Sequence, residues 1–163
     1  MDLALFEPDI PQNAGTLMRL GACLNVRIHL IEPAGFPTSN KTFRRAGMDY
    51  LDRVDLHRHI SWRAFREWQQ GTGQRLILAS TKAAQPYTDF AFRPDDILLL
   101  GRESKGVPDH VHAAADARVL IPLAPGLRSL NVALAGGMIL GEALRQTQGF
   151  PPVTLHESLG EPQ

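Results

Sequence analysis

Short apolar runs alternate with longer amphipathic segments along the chain. Leu3–Phe6, Arg27–Ile31, Val54–Leu56, Leu76–Ser80, Ile97–Leu100 and Val119–Ile121 have strand length and largely apolar text, as expected of strands covered on both faces. Between them, Asn13–Leu24, Thr42–Met48, Trp62–Gln70, Pro108–Ala114 and Leu130–Gln146 predict helices. Glycines and prolines at Glu32–Gly35, Gly71–Gly73, Pro86 and Pro94 punctuate the connections. This alternation predicts an α/β fold with a mostly parallel sheet flanked by helices. No linker divides residues 1–148, which read as one domain; residues 149–163, opening Gly149-Phe150-Pro151-Pro152, read as a short, poorly structured tail. In such a sheet ligands bind beyond the carboxyl ends of the strands, which directs attention to the loops after Phe6, Ser80, Leu100 and Ile121.

Composition narrows the class without deciding the function. The 163 residues suffice for one substantial core, and 44% apolar with 21% charged residues is ordinary for a globular chain. Cys23 is the single cysteine, so no intrachain disulfide forms, which fits a reducing compartment. Met1–Phe6 has no basic n-region, and the nearly uncharged run Ser129–Gly141 is too short to span a bilayer, so a cytoplasmic protein is expected. Net charge is zero. Lys41, Arg44, Arg45, Arg53, Arg58, Arg63 and Arg66 nevertheless cluster against Asp49, Asp52 and Asp55, either as a solvated face or as a phosphate-contacting patch.

Several chemistries can be set aside. Gly101–Gly106 has P-loop spacing, but Val107-Pro108 follows where Lys-Ser/Thr is required. Gly71-Thr72-Gly73 precedes a strand instead of following one, so it is a turn. His57 and His59 have no companion cysteines or HExxH pattern; no metal is expected, and both read as partly exposed. No GxSxG offers a nucleophilic serine.

Three segments stand out. In the first, Asn13 is placed to cap a helix, and Arg19 sits among Leu17, Met18, Leu20 and Leu24, where it either pairs with a carboxylate or meets a phosphate. In the second, Gly101 allows a close backbone approach, Glu103 adds a carboxylate, and Gly106-Val107-Pro108 leads into a helix. In the third, Ile121 and Leu123 wall an apolar slot. Ser129 reads there as a helix N-cap whose neighbouring amides suit an anion, and Asn131 falls in the first turn. The helix that follows carries Ala133, Ala135, Gly136, Gly137 and Gly141, which suits either tight intrachain packing or a helix-on-helix dimer contact.

Asn13-x-Gly15-x-x-x-Arg19, Gly101-x-Glu103-x-x-Gly106-Val107-Pro108, and Ile121-Pro122-Leu123 with Ser129-Leu130-Asn131 together resemble the three motifs of the SPOUT RNA methyltransferases. The chain is most similar to the 2′-O-ribose branch, and within it to the minimal tRNA (cytidine/uridine-34) 2′-O-methyltransferases. Ile31-Glu32-Pro33-x-Gly35-Phe36 and Arg44-Arg45-Ala46-Gly47-x-Asp49-Tyr50 carry that second likeness. The resemblance implies a C-terminal trefoil knot, which general topology rules would not suggest. It also implies an obligate homodimer with the site near the subunit boundary, which favours the interface reading of the glycine-bearing helix. S-adenosyl-L-methionine is the implied cofactor and tRNA, leucine tRNAs in particular, the implied substrate.

Carried onto this sequence, the resemblance places Leu78 or Ala79, Gly101, Ile121, Leu123, Ser129 and Leu130 around the cofactor. It makes Arg19, Asn13, Glu103 and Asn131 the catalytic set, with Arg44 and Arg45 on RNA. A guanidinium stays protonated at neutral pH, so Arg19 is expected to position a phosphate and stabilise charge, not to act as a base. Gly126-Leu127 and Ala133–Gly137 depart from the more polar text common in the family, which bears on substrate preference. The alternatives are a 2′-O-methyltransferase for rRNA or another tRNA ribose, a non-catalytic cofactor-binding RNA assembly factor, and a flavodoxin-like small-molecule binder.

Overall fold

The computed structural model describes residues 1–38 and 51–153. Among these residues seven parallel strands, β1 (Asp2–Phe6), β2 (Arg27–Ile31), β3 (Leu56–His59), β4 (Leu76–Ala79), β5 (Gln85–Pro86), β6 (Ile97–Leu100) and β7 (Ala117–Leu120), form one sheet in the order β3-β2-β1-β6-β4-β7-β5. Four helices flank it among the described residues: α1 (Pro11–Leu24), α2 (Trp62–Thr72), α3 (Asp109–Ala114) and α4 (Val132–Thr147). The expected parallel α/β architecture is what the chain adopts.

Side-chain alternation explains why the central strands are apolar throughout. Leu3, Leu5, Ile28, Leu30, Ile77, Leu98 and Leu100 point to one face, where Leu17 and Met18 of α1 and Ile139, Leu140 and Leu144 of α4 cover them. Ala4, Phe6, Ile31, Leu76, Leu78, Ile97 and Leu99 point to the other, under Phe65 of α2 and Val111 of α3. Ala14, Leu17, Met18 and Gly21 give α1 a buried stripe at i, i+3, i+4, i+7, and its polar side carries Gln12, Thr16 and Arg19.

Several boundaries differ from the sequence expectation. α1 begins at Pro11, so Asn13 lies inside the first turn instead of capping it. α4 begins at Val132, and its cap is Asn131 rather than Ser129. The third strand runs Leu56–His59, not Val54–Leu56, because polar Leu-His-Arg-His text can form an edge strand that buries only one of its histidines. The two-residue β5 pairs with Val119 and Leu120 and has too little text to be recognised. The helix expected over Thr42–Met48 lies outside the described residues.

The amino ends of the strands hold structural charges. Arg75 grips the fully buried Asp96 with two hydrogen bonds of 2.7 Å, and Asp116 accepts the Leu76 amide at 2.7 Å. Nearby, His29 and His59 are buried, which corrects the expectation of a partly exposed His59; His57 is exposed. His29 Nδ1 lies 3.0 Å from His59 Nε2, and His29 Nε2 lies 3.1 Å from Asp2 Oδ2. Burial, with His29 and His57 close by, pushes His59 down to about 4. Burial also works against the Asp2 carboxylate, but the His29 hydrogen bond and charge, the N-terminus and Arg27 outweigh it and hold Asp2 below its usual range.

An unfolded histidine titrates near 6.5 and folded His59 near 4, so between these values the unfolded chain binds more protons. Stability therefore falls as pH drops from about 6.5 towards 4, by at most about 1.4 kcal/mol per pH unit for one proton. Urea unfolding across this range should show a steeper acid loss for the native chain than for His59→Gln. Equal slopes would remove His59 as the cause.

Candidate active site

Strand order reverses between β1 and β6, since β2 and β3 extend the sheet one way and β6 and β4 the other. Such a switch point opens a crevice beyond the carboxyl ends of the strands. A cavity of about 590 Å³ lies there, within the usual range for small-molecule sites. All four loops singled out from the sequence reach it: Ile10 and Asn13 after β1, Ala79–Lys82 after β4, Gly101–Glu103 and Lys105–Val107 after β6, and Ile121, Leu123 and Arg128–Asn131 after β7. Leu100, Val119, Ile121, Leu123 and Ile139 supply apolar wall.

The polar end is a directed chain of hydrogen bonds. The Asn131 side-chain oxygen accepts from the Ala133 and Leu134 amides, at 2.8 and 3.2 Å, and so caps α4. Its amide nitrogen must then donate, and it does so to the Asn13 side-chain oxygen at 3.0 Å. Asn13 in turn donates to Glu103 Oε1 at 3.0 Å, while the Asp9 backbone amide donates to Oε2 at 2.9 Å. Backbone groups thus fix which way both asparagine amides face. Asp9 also accepts from the Ser104 amide at 3.1 Å and from the Ser104 hydroxyl, which ties the glutamate loop to the loop after β1. Because Asn131 uses the first amides of α4, the anion site expected near Ser129 loses two of its donors.

Arg102 and Gly106 form a short antiparallel bridge, with Arg102 N–H to Gly106 O at 3.0 Å and Gly106 N–H to Arg102 O at 2.9 Å. A Cβ on Gly101 would lie 2.8 Å from the Gly106 carbonyl carbon, so the loop closes only with glycine there. Arg102 pairs with Glu7 and lies over the Phe6 ring, 5.6 Å from its centre.

Asn13, Glu103, Asn131, Ala79, Gly101, Ile121, Leu123, Ser129 and Leu130 are therefore brought together around one cavity. Leu78 is not among them: it is fully buried on the α2/α3 side of the sheet, and Ala79 alone of that pair lines the cavity. Arg19 is exposed on α1 and does not line the cavity of its own chain. Arg44 and Arg45 lie outside the described residues. Lys82 and His112 line the cavity without any sequence signal to mark them. Arg118 donates to His112 Nδ1 at 3.0 Å, and a guanidinium can only donate, so the His112 ring proton sits on Nε2. Among the described residues, no group of three or more His, Cys, Asp or Glu is placed to hold a metal ion, and no helix is long and apolar enough to cross a membrane.

The glycines of α4 divide by face. A Cβ on Gly136 would meet Leu100 and Leu17 at 2.6 and 2.9 Å, so this glycine serves packing within the chain. Gly141 has nothing within 4 Å, and Gly137 only Leu20 at 3.9 Å. Both intrachain packing and an open face are thus present on one helix.

The chain resembles known proteins in sequence and in fold. A tRNA (cytidine(34)-2′-O)-methyltransferase of Beijerinckia indica is 71% identical over 151 residues, covering 93% of this chain and 94% of the relative. A solved structure concerned with the 2-OH methylation of C/U34 on tRNA superposes with a TM-score of 0.84 at 41% identity, covering 91% of this chain and 96% of the other. An AdoMet-bound rRNA methyltransferase from Sinorhizobium meliloti gives 0.78 at 29% identity, over 88% of this chain and 55% of that one. The model of the SpoU rRNA Methylase family matches residues 1–141, and the chain belongs to that family.

Proposed function

We propose that this chain methylates the ribose 2′-hydroxyl of nucleotide 34, a cytidine or uridine, of tRNA, using S-adenosyl-L-methionine. The observation that carries the reading is the Glu103–Asn13–Asn131 chain, which joins all three motif segments at the polar end of an apolar-walled cavity. Support comes from the Beijerinckia relative and from the solved structure on C/U34 methylation. Residues 1–148 act as one catalytic domain in this reading, and a tRNA substrate places the protein in the cytoplasm.

The cavity suits the cofactor. Leu100, Ile121 and Leu123 provide an apolar wall for a purine, and the tight Gly101–Gly106 turn brings backbone to the cavity edge. When bound, S-adenosylmethionine supplies a methyl group already activated on a sulfonium. The protein's task is therefore to orient the ribose and stabilise charge at its 2′-oxygen. Asn13 and Asn131 are locked as relays and cannot take a proton; they hold Glu103 and the start of α4 in register. Arg19 holds the phosphate beside the target ribose as a permanent fork-shaped donor.

Because Arg19 lies outside its own chain's cavity, this role places it in the cavity of a second copy. A homodimer is further supported by exposed Leu134 and Met138 on the outer face of α4, beside Gly137 and Gly141. Family membership and the sheet order, with β7 beyond β4 while α4 returns to α1, support a trefoil knot in the carboxyl-terminal part.

Nucleoside mass spectrometry of isolated tRNAs from cells with and without the gene tests the function. The expected result is loss of 2′-O-methylcytidine or 2′-O-methyluridine at position 34, leucine isoacceptors first. Retention there with loss at an rRNA site would overturn the reading.

A further inference from the structure

The chain is neutral overall, yet the mouth of the cavity is not. Lys82, Lys105 and Arg128 line it from three different loops, and all three are exposed. Each backbone position is set by a local turn. The Ser80 hydroxyl accepts the Lys82 amide at 3.1 Å, Lys105 sits inside the Arg102–Gly106 bridge, and Arg128 follows the Leu127-to-Ala124 hydrogen bond of 3.2 Å. Among the described residues none of the three is in an ion pair, whereas Arg102 already has Glu7. Glu103, the one carboxylate among the described lining residues, accepts from Asn13 and the Asp9 amide. Three cations against this one carboxylate leave the rim, among the described residues, with a local positive excess.

We propose that Lys82, Lys105 and Arg128 form a three-point clamp for the backbone phosphates flanking the nucleotide to be methylated. The inference rests on the RNA-methylating reading above and assigns RNA contacts to residues not previously given that role. A cofactor carboxylate would occupy one or two donors deep in the cavity. Three exposed cations spread around an opening match a polyanion laid across it, with a phosphate on each side of the target ribose.

The test is the salt dependence of tRNA binding, with S-adenosylmethionine affinity measured in parallel by calorimetry. For Lys82→Gln, Lys105→Gln and Arg128→Gln, the slope of log K against log salt should become shallower by about 0.7 per substitution, and by about 2 in the triple variant. The triple variant should raise KM for tRNA roughly tenfold or more at moderate salt. Cofactor affinity should stay as in the native chain. Lys82→Arg, Lys105→Arg and Arg128→Lys should keep the native slope, which separates charge from a folding defect. An unchanged slope in the triple variant overturns the clamp, as does weakened cofactor binding with a native slope, which would assign the cations to the cofactor carboxylate. Failure of the methylation reading is distinct: the native chain would then leave position 34 unmodified whatever the slopes.

Discussion

Gly101→Ala should lower S-adenosylmethionine affinity at least tenfold and the single-turnover methyl-transfer rate by roughly a hundredfold, the order expected when reacting groups shift by about 1 Å. The added Cβ would sit 2.8 Å from the Gly106 carbonyl carbon and 3.0 Å from its Cα. Those atoms are backbone, pinned by the two reciprocal Arg102–Gly106 hydrogen bonds, so they cannot swing aside as a side chain can. The loop must open, and Glu103 moves with it, away from Asn13 and the Asp9 amide. Overpacking of this kind costs about 1–3 kcal/mol of stability as well. Gly71→Ala on α2 is the control. Nothing lies within 4 Å of its Cβ and it does not line the cavity, so stability and cofactor affinity should hold. Calorimetry and a tritiated-methyl assay check both. Native affinity in Gly101→Ala would remove the glutamate loop from the cofactor site.

Arg19→Ala should reduce turnover by roughly 10²–10³-fold, the usual cost of losing one preorganised charge-stabilising donor. Arg19→Lys should recover only part of this, because an ammonium keeps the charge and loses the planar fork. The placement of Arg19 outside its own cavity makes a sharper test available. In a symmetric dimer where Arg19 serves the partner's cavity, mixing Arg19→Ala with Gly101→Ala chains creates heterodimers with one intact site and one doubly damaged site. Random pairing then restores about a quarter of the native sites. If Arg19 served its own cavity, every site in the mixture would carry one lesion. Absence of any recovery, with heterodimers verified by tag pull-down, would rule out the crossed arrangement.

Much of this protein is written locally. The apolar runs at Leu3–Phe6, Leu76–Ala79 and Ile97–Leu100 require a sheet covered on both faces, and the amphipathic segments between them require helices to cover it. The four loops of interest follow from that architecture alone, since a parallel sheet collects its ligand-facing loops at one end. Gly101 and Asn131 could be singled out because their residue types suit few other local roles.

What local text cannot contain is which side of an element meets which distant partner. Asn13 and Asn131 are 118 positions apart, and only packing of α1 on α4 sets their 3.0 Å hydrogen bond. Helical phase turns Arg19 to the outer side of α1 while the buried stripe of the same helix faces the core, so one motif supplies two different surfaces. The same phase separates Gly136, packed on Leu100, from Gly141, which faces open space. Polar text hid the burial of His59, because its pairing with His29 exists only once β2 and β3 lie side by side. Lys82, Lys105 and Arg128 are unremarkable in sequence, and only sheet order brings their loops to one opening. Periodicity fixes the elements and their buried faces, whereas convergence of charges and amides at a site depends on the chain's return path, which no short window records.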